Sequence, residues 1–396
     1  MSNTIKIGNK EIDLLSYDTE VTKKKYIESF GGTNDIQTLT FKYNVFNIDG
    51  FRLDISGPVE RQFKVEVFEP NGNLYHETIL STNMWTQLNK KYFIPWRYVI
   101  RDIETKQVIC DNIFSLENER VFINFESKSL GDNIAWIPYC EEFRKKHKCT
   151  VIVSTFWNRF FEDKYPDIEF VNPGSVVYDI RAQYRIGWFD DNNKEPQKPN
   201  LIPLQKAATN ILGLDFEELK PEISFKRKKV YDFKYITIAT HSTAGLKYWN
   251  HPTGWKELVS FIKSKGYEVV HVSMEPTDLS DVIQLEDTSM ENTMSVIDGS
   301  ELFIGLSSGL SWLSWALGKH VVMISNFTED DHEFTTNSTR ITNHKVCNGC
   351  WNNPMFKFDK GDWYWCPEHK GTPRQFECHK SITPDMVINK VDKLLS

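Results

Sequence analysis

Between residues 37 and 125 the chain alternates short apolar runs with turn residues: QTLTFKYNVFNI, FRLDISG, FKVEVFEP, NGNLYHETIL, YFIPWRYVIRDI and VFINF. Alternation of this kind places successive side chains on opposite faces of a strand. Asn71-Gly72 sits between two such runs and signals a hairpin, because both residue types accept the positive φ of a tight turn. The pattern predicts a β-sandwich or barrel, and residues 1–120 form the expected N-terminal β-rich domain.

From Phe122 the period changes. The strand VFINF is followed by a polar turn, then by the longer amphipathic segment NIAWIPYCEEFRKKH and the strand CTVIVS, which together read as a β-α-β unit. WNRFFEDKY and IEFV continue the alternation, and a parallel sheet covered by helices buries such strands. ELKPEISFKRKK carries proline and charge with weak periodicity, so an interdomain linker is expected near residues 220–230. A second α/β unit follows: KYITIAT, GWKELVSFIKSKG, YEVVHVS, MENTMSVIDG, ELFIG, LSWLSWALG and HVVMIS, with glycine at or near the helix ends. The expected domains are therefore 1–120, 121–225 and 226–396. Two α/β domains in tandem leave a cleft at the carboxyl ends of their strands, where ligands of open sheets bind.

Composition narrows the function. The 396 residues can bury more than one core. Forty-seven basic against 54 acidic residues give a net charge of -7, which argues against a general nucleic-acid binder. The basic stretches FRKKHKC and FKRKKVYDF are short and suit a solvated helix face and a linker. MSNTIKIGNKEIDLL lacks the basic-then-apolar pattern of a signal peptide, and no long uninterrupted apolar run suggests membrane insertion. A cytoplasmic location is expected, with Cys110, Cys140 and Cys149 as reduced thiols.

Three stretches could carry chemistry. In ESKSLGDNIAWIPY, residues 126–139, Gly131 permits a close turn and Asp132 stands at a helix start, as a general base or simply as an N-cap. Pro138 a few residues further in implies a kink. THSTAGLKYWNHPTGW, residues 240–255, offers hydroxyls, a glycine and Lys247 after a strand's carboxyl end, either a diphosphate site or an ordinary polar loop. In GLSSGLSWLSWALGKH, residues 305–320, Gly305, Ser307, Ser308 and Gly309 open a helix whose free N–H groups suit an anion, or whose serines merely cap it. Trp312 and Trp315 on that helix suit core packing. The chain has no G-x-x-x-x-G-K-S/T or H-E-x-x-H motif, which sets those enzyme classes aside.

HKVCNGCWNN opens the last feature, a C-x2-C-x15-C-x11-C array of Cys347, Cys350, Cys366 and Cys378. Four thiolates can close a tetrahedral metal site, with buried free thiols as the alternative. Sulfur-only coordination suits both zinc and iron, and a filled shell makes the role structural. His369 and His379 flank the third and fourth cysteines and could compete as ligands, but are expected outside the ligand shell or exposed. The insert WNNPMFKFDKGDWYW supplies aromatics to cover the site.

SLGDNIAWIPYCEEFRKKH, HSTAGLKYWNHPTGW, SSGLSWLSWALGKHVVMIS and the cysteine array together resemble the bacterial autotransporter heptosyltransferases, relatives of the ADP-heptose transferases of lipopolysaccharide synthesis. The resemblance runs from about residue 120 to the end. It implies an α/β fold of the GT-B glycosyltransferase type: two Rossmann-like domains, an N-terminal β domain and a C-terminal four-cysteine metal finger at 344–380. It implies ADP-heptose as donor, serine hydroxyls of an autotransporter adhesin passenger as acceptors, and a homo-oligomer. By position, Asp132 would be the base. Thr243, Lys247, Trp249, Ser307, Ser308, Gly309 and Leu310 would bind the donor, and the four cysteines would hold structural iron, with zinc as the alternative. No catalytic divalent metal is implied. Where the lipopolysaccharide branch resembles D-T-G-L-x-H, Ser307 stands for the Asp and Trp312 for the His, which favours the protein-modifying branch. The competing functions are a lipopolysaccharide or capsule glycosyltransferase and a non-catalytic four-cysteine binding module. The module would want a basic surface, yet Asp359, Asp362, Glu368 and Glu377 mix with Lys357, Lys360, Lys370 and Arg374.

Overall fold

The computed structural model describes residues 4–7, 10–13 and 41–396. Residues 37–40 of the first strand-like run lie outside them. Strands β1 (Thr4–Ile7) and β2 (Lys10–Asp13) pair antiparallel. So do β3 (Lys42–Asn47) and β4 (Phe51–Ser56), in the register Val45↔Leu53. β5 (Gln62–Phe68) pairs with β6 (Leu74–Ser81) across the Asn71-Gly72 turn. That turn needs its glycine, with φ at +89°, and Asn71 Oδ1 accepts the Asn73 N–H at 2.9 Å. β7 (Met84–Gln87), β8 (Arg97–Asp102) and β9 (Val108–Ile113) complete the region.

β1 and β2 form a sheet of their own, and β3 to β9 divide between two others. β6-β5-β8-β9 form an antiparallel sheet, while β3, β4 and β7 extend a seven-stranded sheet whose other members come from the next segment. The inward side chains Val45, Leu53 and Ile55 join one core with Val121 and Ile123, so the alternating pattern finds its apolar partner there.

The β-α-β unit follows as β10 (Arg120–Phe125), α1 (Leu130–His147) and β11 (Thr150–Ser154), with the two strands parallel. β12 (Ile168–Val171) and β13 (Ala182–Ile186) complete the order β12-β11-β10-β13-β3-β4-β7. α1 carries no apolar stripe. Its residues Gly131 to Cys140 are all buried, and its basic residues gather in the last turn, Arg144 to His147. Its indole and phenol are satisfied inside: Trp136 Nε1 donates to Leu204 O at 2.9 Å and Tyr139 Oη to Glu217 O at 2.7 Å. The helix runs through Pro138 and stops at Lys148, which is left-handed and gives its N–H to Arg144 O.

α2 (Leu204–Leu212) ends on Gly213, and residues 214–234 contain neither helix nor strand. Beyond them β14 (Tyr235–Ile238), α3 (Gly254–Ser264), β15 (Glu268–His271), β16 (Ile283–Gln284), α4 (Met290–Gly299), β17 (Phe303–Leu306), α5 (Gly309–Ala316), β18 (Val321–Ile324) and β19 (Ser338–Ile341) build a second sheet. Its order is β16-β15-β14-β17-β18-β19, and every pairing is parallel. β14, β17 and β18 are buried along their whole length, as strands covered on both faces must be. α6 (Glu377–Lys380) and α7 (Pro384–Leu395) close the chain, the latter capped by Thr383.

The two lobes meet at the starts of α1 and α5. A Cβ on Gly131 would stand 3.1 Å from Trp312 Cδ1 and 3.3 Å from Gly309 Cα, so only glycine admits this approach unstrained. Trp312 and Trp315 pack on Phe334 with ring centroids 4.9 and 4.7 Å apart, the core role expected of them.

Candidate active site

Asp132 is the third residue of α1 and does not cap it. Ser129 holds the N-cap position without a side-chain bond, and the Asn133 amide instead donates to Ser127 O and Ser129 O. That frees the aspartate. Its Oδ2 accepts Ser127 Oγ at 2.5 Å and Trp188 Nε1 at 2.8 Å. Burial raises its pKa, while these two bonds and the charge of Lys247 pull the other way without cancelling the rise. A buried carboxylate with a raised pKa, held by two donors, is suited to take a proton near neutrality.

Lys247 ends a one-turn helix, Gly245–Lys247, after β14. It is partly accessible yet closely ringed by protein, and burial lowers its pKa against the opposing charges of Glu333 and Asp132. Its ammonium lies 5.3 Å from the centre of the Phe327 ring and, among the described residues, makes no ion pair. It is an amine closely surrounded by protein that, among the described residues, has no hydrogen-bonded partner.

The third stretch supplies the anion end. Ser307 is buried and gives its hydroxyl proton to Glu333 Oε1 at 2.5 Å. Ser308 occupies the N-cap of α5 with extended backbone, but its side chain caps nothing, and its buried Oγ has no partner among the described residues. Gly309 and the half-buried Leu310 follow in the first turn, beside Gly131. Unpaired N–H groups and an orphaned hydroxyl at a helix start are the features an anion would satisfy.

Asp132, Lys247 and Ser307 to Leu310 thus come together where α1 and α5 begin, whereas Thr243 and Trp249 stand apart. Thr243 is exposed on its loop. Trp249 is buried, donates to Ile382 O at 2.8 Å, and walls a cavity of about 290 Å³ with Thr240, His241, Tyr248, Asn250 and Lys256. Two participants carried no motif. Trp188 follows β13 in a stretch that carries no recognisable motif, and Glu333 is one acid among several in TEDDHEFTT.

The C-terminal segment packs against this site. Trp351, next to Cys350, meets Trp188 edge to face at 5.3 Å, and Asn352 Nδ2 donates to Asn200 O at 2.7 Å. Trp365 and Phe327 form a small core with Leu246, adjacent to Lys247. No disulfide joins the cysteines. Burial raises the thiol pKa of Cys347, of Cys350 to about 12 and of Cys378, and the neighbouring thiols, Cys366 among them, raise each further. Sulfurs that repel one another's thiolate forms suit a cation placed among them, which would reverse that repulsion. Among the described residues, the ligand atoms that gather within 4.8 Å of one another are those of Cys347, His369 and Glu377, a set that shares only Cys347 with the four-cysteine array.

Known proteins resemble this chain over most of its length. Residues 194–365 match the model of glycosyltransferase family 9 (heptosyltransferase). The autotransporter heptosyltransferase Aah of Escherichia coli is 35% identical over 333 residues, covering 79% of this chain and 83% of that protein. The iron-containing dodecameric glycosyltransferase TibC of enterotoxigenic Escherichia coli superposes with a TM-score of 0.81 at 31% identity, over 89% of this chain and 95% of TibC. A second TibC structure, in complex with ADP-D-beta-D-heptose, gives 0.79 at 30% identity over 92% and 100%. BimC of Burkholderia thailandensis, named an inactive autotransporter heptosyltransferase, is 32% identical over 75% of this chain and 74% of its own length. The chain belongs to the autotransporter heptosyltransferases, glycosyltransferase enzymes of family 9.

Proposed function

We propose that the protein transfers a heptosyl group from ADP-heptose to serine hydroxyls of an autotransporter passenger, in a cleft of the GT-B type. One observation carries this: a buried carboxylate, an unpaired lysine and a helix start with an orphaned hydroxyl come together where α1 and α5 begin. The TibC complex with ADP-heptose and the name of Aah support the donor and the acceptor class.

Asp132 takes the proton of the acceptor hydroxyl as that oxygen forms its bond to the anomeric carbon and the bond to the diphosphate breaks. Trp188 and Ser127 hold the carboxylate in place. Lys247 and the N–H groups that follow Ser308 receive the charge that gathers on the departing ADP, so the positive charge at the leaving group comes from the chain itself. Lys247 is the anchor of the donor set; Thr243 and Trp249 belong to the loop and wall around it. Cys347, Cys350, Cys366 and Cys378 are the residues to hold a structural iron, with zinc as the alternative. That ion would fix the segment carrying Trp351, and through it the wall behind Trp188. The protein works as a homo-oligomer in the cytoplasm, and among the described residues no helix is long and apolar enough to cross a membrane.

The test is an ADP-release assay with ADP-heptose and either an adhesin passenger fragment or a lipopolysaccharide-core acceptor. Release that depends on the passenger supports the proposal. Release that depends only on the glycolipid would assign the chain to glycan synthesis instead.

A further inference from the structure

We propose that Glu333 is a positioning residue of the donor site: a permanent counter-charge that keeps Lys247 an ammonium and anchors Ser307 at the head of α5. This rests on Lys247 meeting the donor diphosphate. Glu333 lies between β18 and β19, in a stretch to which no motif assigns a role, and is 5% exposed. Both its oxygens are taken. Oε1 accepts Ser307 Oγ at 2.5 Å and Thr328 Oγ1 at 3.1 Å; Oε2 accepts Thr328 Oγ1 at 2.9 Å and Arg340 Nη1 at 2.6 Å. Arg340 is itself fixed, with Nη2 on Thr328 O at 2.7 Å. So saturated a carboxylate has no lone pair free for substrate, and its remaining influence is through its charge and through the hydroxyls it orients.

That charge faces Lys247. The groups around the ammonium are Asp132 from α1, Glu333 and His332 from the β18–β19 connection, and the face of Phe327. Arg340 on β19 stands behind Glu333. Burial favours a neutral amine and a neutral His332, and at Lys247 the two carboxylates oppose that effect. They are not equivalent. Asp132 is pushed up by burial and gains a proton during the proposed transfer. Glu333 feels burial too, but Arg340, His332 and Ser307 hold it down to about 2, so it stays ionised throughout. The same contact ties Ser307, the residue before the α5 cap, to a rigid pair instead of leaving its hydroxyl free to rotate.

The experiment is the affinity for ADP, measured by calorimetry against pH. Wild type, Glu333→Gln, the double variant Glu333→Gln/Arg340→Met and Thr328→Val are compared. Between about pH 6 and about pH 9, Glu333→Gln should lose on the order of 10-fold more affinity than wild type, one unit of lowered lysine pKa appearing as one decade. The double variant removes the stranded arginine charge and should show the same steeper loss, separating the counter-charge from any misfolding of the single variant. Thr328→Val loses hydrogen bonds but no charge and should follow wild type. Parallel pH dependences for wild type and both Glu333 variants would overturn the proposal while leaving the donor site intact. No ADP binding by wild type would instead sink the donor site, and this inference with it.

Discussion

Replacing Trp188 by Phe removes one donor from Asp132 and little else. The 2.8 Å bond from the indole N–H goes to the same oxygen that Ser127 holds, so one bond remains after the change. A phenyl ring retains part of the packing against Trp136 and Trp351, at 6.3 and 5.3 Å. A hydrogen bond to an ionised group contributes about 1.5–3 kcal/mol. The bond favours the carboxylate form, so its loss raises the pKa of Asp132, and at about 1.4 kcal/mol per unit the rise is about 1–2 units. Transfer requires the unprotonated carboxylate. The acid limb of kcat/KM should therefore move up by about 1–2 pH units. Below the limb the variant should be roughly 10- to 100-fold slower than wild type, and it should recover towards the wild-type rate in alkaline buffer. ADP release with a passenger fragment, followed across pH, measures this. A limb that stays in place while the rate falls uniformly would show that Trp188 shapes the site without tuning the base.

Two further outcomes follow from buried groups. Metal analysis of the purified chain should find one iron, or zinc, per chain, and replacing Cys366 and Cys378 by Ser should release it and lower the melting temperature; full retention of metal would remove those cysteines from the site. Glu195 is 1% exposed, neither carboxylate oxygen has a partner among the described residues, and burial pushes its pKa up to about 8. It is protonated in the fold and ionised when unfolded at neutral pH, so stability should fall as pH rises from the ordinary glutamate range through about 8. Glu195→Gln should flatten that slope and stabilise the alkaline form by on the order of 1–3 kcal/mol. Urea unfolding at acid and alkaline pH reads it, and an unchanged slope would contradict the assignment.

What the sequence disclosed was local. VFINF and CTVIVS appear as β10 and β11 around α1, and the Asn71-Gly72 hairpin forms where expected. The helices read at GWKELVSFIKSKG, MENTMSVIDG and LSWLSWALG are α3, α4 and α5. What it hid depends on distance. Asp132 and Trp188 are 56 positions apart and share one hydrogen bond, which no periodicity announces. Glu333 is one carboxylate in an acidic stretch, marked only by its burial and by Arg340. The segment NIAWIPYCEEFRKKH reads as amphipathic, yet in α1 the ten residues Gly131 to Cys140 are all buried. Ser307 looked free to meet a ligand, and in the fold its proton is given to Glu333.

The central claim is that Asp132 activates a protein hydroxyl against ADP-heptose. Intact-mass and peptide mass spectrometry of a passenger fragment, incubated with ADP-heptose and either the wild-type chain or Asp132→Asn, tests it most directly. The wild-type chain should add heptosyl increments at serines, and Asp132→Asn should add none while still binding ADP. Increments of equal extent from Asp132→Asn, or an unmodified passenger with the wild-type chain, would contradict the account.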